Sequence, residues 1–280
     1  MKNGAAAAKA GFSLAEAALS LAIVGMVITA MVPALLSLRA SESARATQTA
    51  LEGVMRATAA FVQANGCFPC PAPASLQAGA GFGVVRGDTL ANPSPCNSGC
   101  ASVPGLVPFR SLGLPQSLAH DGYGRWLTFA VDPTLTSSGL SNLACTIQDT
   151  DCTADDVAHS AHKKGLCAAG LGASTSLRVL VSGVTTTIAM LVLSHGANGR
   201  GAFTEVNSGP ARRAFPTSVP SCLPGNTGAE RCNADADLTF VAAIPSTGSD
   251  PFDDQMLYFD RNALMASLGG AGCNTNWLSP

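Results

Sequence analysis

Hydrophobic and polar positions fall into four regimes along the chain. Residues 17 to 38, "AALSLAIVGMVITAMVPALLSL", carry no charged side chain. A helix of that length extends about 33 Å at ~1.5 Å per residue, enough to span a bilayer core of about 30 Å. Beyond Leu38 the pattern becomes periodic. In "RASESARATQTALEGVMRATAAFVQANG", the residues Leu51, Val54, Met55, Thr58, Phe61 and Val62 recur on one helical face. No proline interrupts this segment, and Asn65-Gly66 is a helix-stop signal. The two regimes predict one helix over 12–65, about 80 Å long. Its second half would pack that stripe under a globular head.

From 66 to 118 the periodicity vanishes. "GCFPCPAPAS", "NPSPCNSGC" and "VPGLVPF" read as a long ordered loop. Strand patterns follow in "RWLTFAVD", "LTFVAAI" and "QMLYFD". "LRVLVSG" and "TTTIAMLVLSHG" read as a hairpin, its second strand apolar enough for burial on both faces. "RNALMASLG" predicts a short helix with Asp260 as N-cap. The fold class is therefore α+β. A long N-terminal transmembrane-and-stalk helix packs on a mainly antiparallel β-sheet head with long, disulfide-stapled loops.

Composition narrows the setting. The chain is 47% hydrophobic and 12% charged, which leans toward exported or membrane-associated proteins. A net charge of -2 and 5% aromatic residues offer neither a basic field nor a stacking surface, so no nucleic acid is expected. The cysteines are Cys67, Cys70, Cys96, Cys100, Cys145, Cys152, Cys167, Cys222, Cys232 and Cys273. Cys67-x-x-Cys70 with Cys96-x-x-x-Cys100 fits zinc by spacing alone, and "CFPC" fits a redox pair. Export favours disulfides, and no β-α-β context surrounds "CFPC". Cys145 with Cys152, and Cys222 with Cys232, are near enough to close small loops. Connectivity stays open.

Lys2 and Lys9 precede the apolar run and favour a cytoplasmic N-terminus. Glu16 sits at its start. A charge at mid-membrane costs roughly 2.5–3.5 kcal/mol on insertion scales, less near the interface. A signal peptide has a shorter apolar core, and a plain anchor gives Glu16 no use. "KAG" followed by "FSLAE" resembles the processing site of type IV pilins and type II secretion pseudopilins. The resemblance implies that prepilin peptidase cuts after Gly11 and that Phe12 becomes a methylated N-terminus. It makes Glu16 the fifth mature residue and places Pro33 where many pilins carry a helix-kinking proline. It implies a cleaved leader (1–11), a transmembrane part (12–38), an amphipathic stalk (39–65) and a periplasmic head (66–280).

In the head, "DGYGRWLTFAV", "LSHGANGRGAF" and "DDQMLYF" resemble segments of the major pseudopilin of type II secretion. The chain is longer and richer in cysteine than that protein. The implied role is a structural subunit of a pilus-like or secretion filament, not an enzyme. It would be a single-pass inner-membrane protein with a periplasmic head. Its partners would be other pilin or pseudopilin subunits, prepilin peptidase, the inner-membrane assembly platform and the lipid bilayer. The alternative is a membrane-anchored exported binding or enzymatic domain with a pilin-like leader.

No cofactor is required by this reading. Calcium is the candidate ion, at Asp250, Asp253 and Asp254, because it takes several oxygens from an acidic loop. The resemblance implies calcium in the corresponding loop, while surface acidity or capping is the plainer account. His159 and His162, near Asp155 and Asp156, read as a solvated helix face with Lys163 and Lys164. Ser194-His195 adjacency does not make a triad, and "GANGRG" reads as a turn.

Overall fold

The computed structural model describes residues 14–65, 67–74, 81–85, 100, 104–136, 177–204, 212–222, 228–248 and 250–259. A continuous helix, α1 (Leu14–Asn65), opens it. The predicted start at Phe12 lies outside the described residues. Pro33 sits inside α1 without ending it. At the end of α1, Asn65 donates its Nδ2 to the Phe61 carbonyl one turn back at 2.9 Å.

The chain divides into two compact units inside this helix, between Ala44 and Arg45. In the first, apolar side chains from Leu14 to Leu38 are exposed on every side. Ser20 and Thr29 turn their hydroxyls onto the carbonyls of Glu16 and Gly25, at 2.8 and 2.7 Å. Such back-bonding leaves their polar groups paired within the helix itself. This segment is long and apolar enough to cross a membrane.

In the second unit the helix becomes part of a core. Leu51, Val54, Met55, Thr58 and Val62 are buried, as the periodicity predicts, and Phe61 is half-buried. Residues 45–65 thus belong to the same compact unit as the head.

The head holds two sheets. The four-stranded one has the order β1-β2-β5-β7, all antiparallel: β1 (Gly105–Leu106), β2 (Thr128–Val131), β5 (Met190–Ser194) and β7 (Gln255–Phe259). The three-stranded one has the order β4-β3-β6: β3 (Arg178–Val181), β4 (Val184–Thr187) and β6 (Thr239–Ala242). Here β3 pairs antiparallel with β4 and parallel with β6. The antiparallel expectation holds except for this last ladder. A four-residue helix, α2 (Ala229–Cys232), precedes β6.

Strand alternation builds the layers, because successive side chains point to opposite faces. Phe129, Val131, Met190, Val192 and Phe259 share one core with the α1 stripe, Phe68, Phe82, Phe109 and Trp126. Ala130, Leu191 and Leu193 face the other way, onto Leu177, Val179, Leu238 and Phe240. The four-stranded sheet therefore lies between α1 and the second sheet, and β2 and β5 are buried along their whole length. Their near-continuous apolar runs follow from that double burial.

One predicted element divides. "TTTIAMLVLSHG" is not a single strand paired in a hairpin with "LRVLVSG". Its Thr185–Thr187 part completes β4, and Met190–Ser194 forms β5 in the other sheet. The hairpin is β3–β4 alone. It closes through Ser182 and Gly183, both at positive φ (48° and 83°). A two-residue loop with both central residues left-handed matches the twist of the flanking strands. The predicted helix at 261–269 and its cap Asp260 lie outside the described residues.

Among the described cysteines none is free. Cys70 bonds Cys100, and Cys222 bonds Cys232 across the short loop that spacing suggested. Cys67 is also disulfide-bonded. Cys67 and Cys70 are thus neither a redox pair with each other nor zinc ligands. The bonds indicate an oxidising compartment. Cys96, Cys145, Cys152, Cys167 and Cys273 lie outside the described residues.

Candidate functional site

An acidic cluster sits where the loop after β5, the helix α2 and the segment before β7 converge. Carboxylate oxygens of Glu230, Asp253 and Asp254 lie within 4.8 Å of one another. Two of the three predicted calcium residues are present. Asp250 is not: its Oδ2 accepts from Gly228 N at 3.1 Å, at the start of α2. Its place is taken by Glu230, which the sequence reading missed.

The loop of residues 195–201 is held from below by the turn of residues 121–125. Asp121 Oδ1 accepts the amides of Tyr123 and Arg125, and its Oδ2 accepts the Ser194 hydroxyl at 2.7 Å. Arg125 donates to the carbonyls of Gly196 and Ala197. "DGYGRW" and "LSHGANG" are therefore one clamp. Gly196 adopts φ 56°, and a Cβ there would collide with the Asp253 backbone. Only glycine permits that approach.

From this loop Asn198 reaches two of the acids. Its backbone N–H donates to Asp253 Oδ2 at 2.8 Å and its Nδ2 to Glu230 Oε1 at 2.6 Å. Arg200 stands 3.5 Å from Glu230 Oε2. On the far side Asn233, fully buried, donates to Asp254 Oδ2 at 2.8 Å and exchanges two bonds with the Val241 backbone. Asp253 Oδ1 and Asp254 Oδ1 are buried without a hydrogen-bond partner. A buried acceptor left unmade costs about 1–3 kcal/mol, more if charged.

Ser194-His195 makes no catalytic pair. The Ser194 hydroxyl is spent on Asp121, and His195 Nε2 lies 3.0 Å from Thr128 Oγ1. Arg212 Nη1 lies 3.4 Å from the same nitrogen; an Arg only donates, so the ring proton belongs on Nδ1. Nδ1 has no partner and faces Asp254 Oδ1 at 3.9 Å. Burial, then the nearby Arg212 and Arg125, hold His195 well below its usual range. Burial likewise pushes Asp254 well above the ordinary carboxylate range, and Glu230 upward.

The donor set is all carboxylate oxygen, with neither sulfur nor a ligating imidazole in the group. That chemistry suits a hard cation of the calcium kind. A dication would supply the partner that Asp253 Oδ1 and Asp254 Oδ1 lack. The fit is therefore good for Glu230, Asp253 and Asp254, with Asp250 acting as a cap. The pairs His159–His162 and Asp155–Asp156 lie outside the described residues, as do Gly11 and Phe12. Glu16 is exposed in the first turn of α1.

Beside the cluster, Asp235 is pushed up to about 6, first by burial and then by Asp237. A raised folded-state value means the folded chain holds this proton more tightly than the unfolded one. The stability it lends is full below the ordinary 3.8 and is lost as pH rises through about 6. Asp235→Asn keeps an Oδ1 acceptor for Asp237 N. The variant should be more stable than the parent at about pH 7.5, by on the order of 1 kcal/mol after solvent screening, and equal at about pH 4. Denaturant midpoints of the detergent-solubilised chain at the two pH values check this; equal midpoints at both would refute it.

No known protein family, characterised protein or solved structure matches this chain.

Proposed function

We propose that this chain is a structural subunit of a type IV pilus-like or type II secretion filament, with a pilin-like fold. One observation carries the reading. A single helix is apolar, exposed and free of charge from Ala17 to Leu38, yet buries its Leu51–Val62 face in the core of a disulfide-bonded head. A helix that is hydrophobic all round needs lipid or other helices around it. Glu16 stands at the head of that stretch, where a filament of such helices can pair it with a cation from a neighbouring subunit.

The processing motif supplies that cation. Cleavage between Gly11 and Phe12 frees an amine four residues before Glu16. Inside an apolar filament core the pair attracts more strongly than in water and fixes the stagger between subunits. The subunit would be held in the inner membrane with its head in the periplasm, and the acidic cluster would take calcium there.

The test is the mass of the purified chain. A mature form beginning at Phe12 and carrying one methyl group is expected. An intact Met1, or cleavage near Ala30 or Ala34, would remove the basis for the filament reading.

A further inference from the structure

Glu230 is carried on a helix of four residues. So short a helix has no stability of its own, because nucleation is unfavourable and nothing propagates it. Its position must come from tethers. Asp250 caps Gly228 N, and Arg231 donates to the carbonyls of Val219 and Pro216 at 3.1 and 3.2 Å. The covalent tether is Cys222–Cys232, which closes the stretch over a separation of 10 residues.

The place of Cys232 matters. Two residues before it stands Glu230; immediately after it stands Asn233, which holds Asp254 Oδ2. One sulfur thus fixes both a carboxylate of the cluster and the amide that orients another. These are also the groups that most need fixing. Glu230 and the Asp254 side chain are fully buried, Asp254 Oδ1 has no partner, and the orphan Nδ1 of buried His195 faces it. Like charges brought together in a buried site repel unless a cation joins them. A freed α2 would let Glu230 swing out to solvent and leave two acids behind.

From this geometry we infer that the Cys222–Cys232 disulfide assembles the cation site, so that calcium binds tightly only to the oxidised chain. The inference rests on the calcium reading of the cluster. It makes ion binding and disulfide formation mutually reinforcing, since coupling between two sites is reciprocal. A head still reduced, before export, would lack the site. The same ion in an oxidising compartment would lock the staple shut.

Two measurements on the full chain in detergent test it. Calcium titrations by calorimetry compare wild type, Cys222→Ser/Cys232→Ser, Glu230→Gln and, as a control in the core shared with α1, Cys70→Ser/Cys100→Ser. The first two variants should bind calcium at least about tenfold more weakly, and the control should bind as wild type does. The second measurement uses the unaltered protein, so it survives a variant that fails to fold. With dithiothreitol taking over the disulfide and leaving two thiols, alkylation and peptide mapping report how far Cys222–Cys232 is reduced. Saturating calcium should raise the dithiothreitol needed by about the same tenfold. Equal calcium affinity in the Cys222→Ser/Cys232→Ser chain, or equal reduction with and without calcium, overturns the coupling alone. Wild-type protein that binds no calcium overturns the cation site and the coupling together.

Discussion

Glu16→Ala chains should reach the membrane and lose their leader normally, yet fail to enter filaments. Insertion should be spared because the change removes a charge from an otherwise apolar helix. The leader residue Gly11 is untouched, and the head's core begins far along α1, at Ala50. On the proposed filament reading, what changes is the fate of the Phe12 amine on the incoming subunit. Buried in a filament without its carboxylate, it would cost roughly 3–5 kcal/mol, as breaking one side of a buried pair does. That penalty recurs at every subunit added, so incorporation should fall to a small fraction of wild type. Expression of the variant beside the native system, followed by shearing and quantification of filaments, reads this directly. Wild-type incorporation of Glu16→Ala would mean that Glu16 serves something other than subunit pairing.

Phe129→Ala should lower the stability of the chain by about 3–5 kcal/mol. Phe129 is fully buried on β2, in the middle layer, where it faces the α1 stripe. Both edges of its strand are paired, Phe129 lying opposite Gly105 on one side and Val192 on the other. The surroundings therefore cannot collapse easily into the cavity, which places the cost toward the upper end. Val184→Ala is the matched control. Val184 is 65% exposed on the edge strand β4, and its truncation should change stability by less than about 0.5 kcal/mol. Denaturant unfolding of both variants at fixed pH measures the contrast; similar midpoints would show that the layered core is wrongly placed.

The helix was legible because its two signals are strong and local. A chargeless run and a 3.6-residue stripe each report a periodic environment, and Leu51, Val54 and Val62 lie where the stripe puts them. The layering was half-legible. The run through Met190–Ser194 showed burial on both faces, but nothing in it marked where Thr185–Thr187 leaves one sheet and Met190 enters the other. Ile188 and Ala189 make that passage while fully buried, so the hydropathy pattern runs on unbroken. The cluster was legible only in part, because its acids meet through tertiary contacts. Asp253 and Asp254 are neighbours in sequence, whereas Glu230 comes from a separate segment tied to theirs by the Gly228–Asp250 and Asn233–Asp254 hydrogen bonds. Asp250 looks equivalent to its neighbours in the sequence, but its Oδ2 accepts from Gly228 N and it lies outside the group formed by Glu230, Asp253 and Asp254, although its Oδ1 is buried without a partner as those of Asp253 and Asp254 are.

The division of α1 between two environments also decides where this chain can be cut. A fragment beginning at Arg45 keeps Ala50, Leu51, Val54, Met55, Ala59 and Val62, and with them the cover of the four-stranded sheet. A fragment beginning at Cys67 strips that cover and lays Phe129, Val192 and Phe259 open to water. The head is therefore not complete without the helix that enters it. Residues 45–65 are one wall of its core, and a fragment meant to fold as the head has to carry the last six turns of α1 with it.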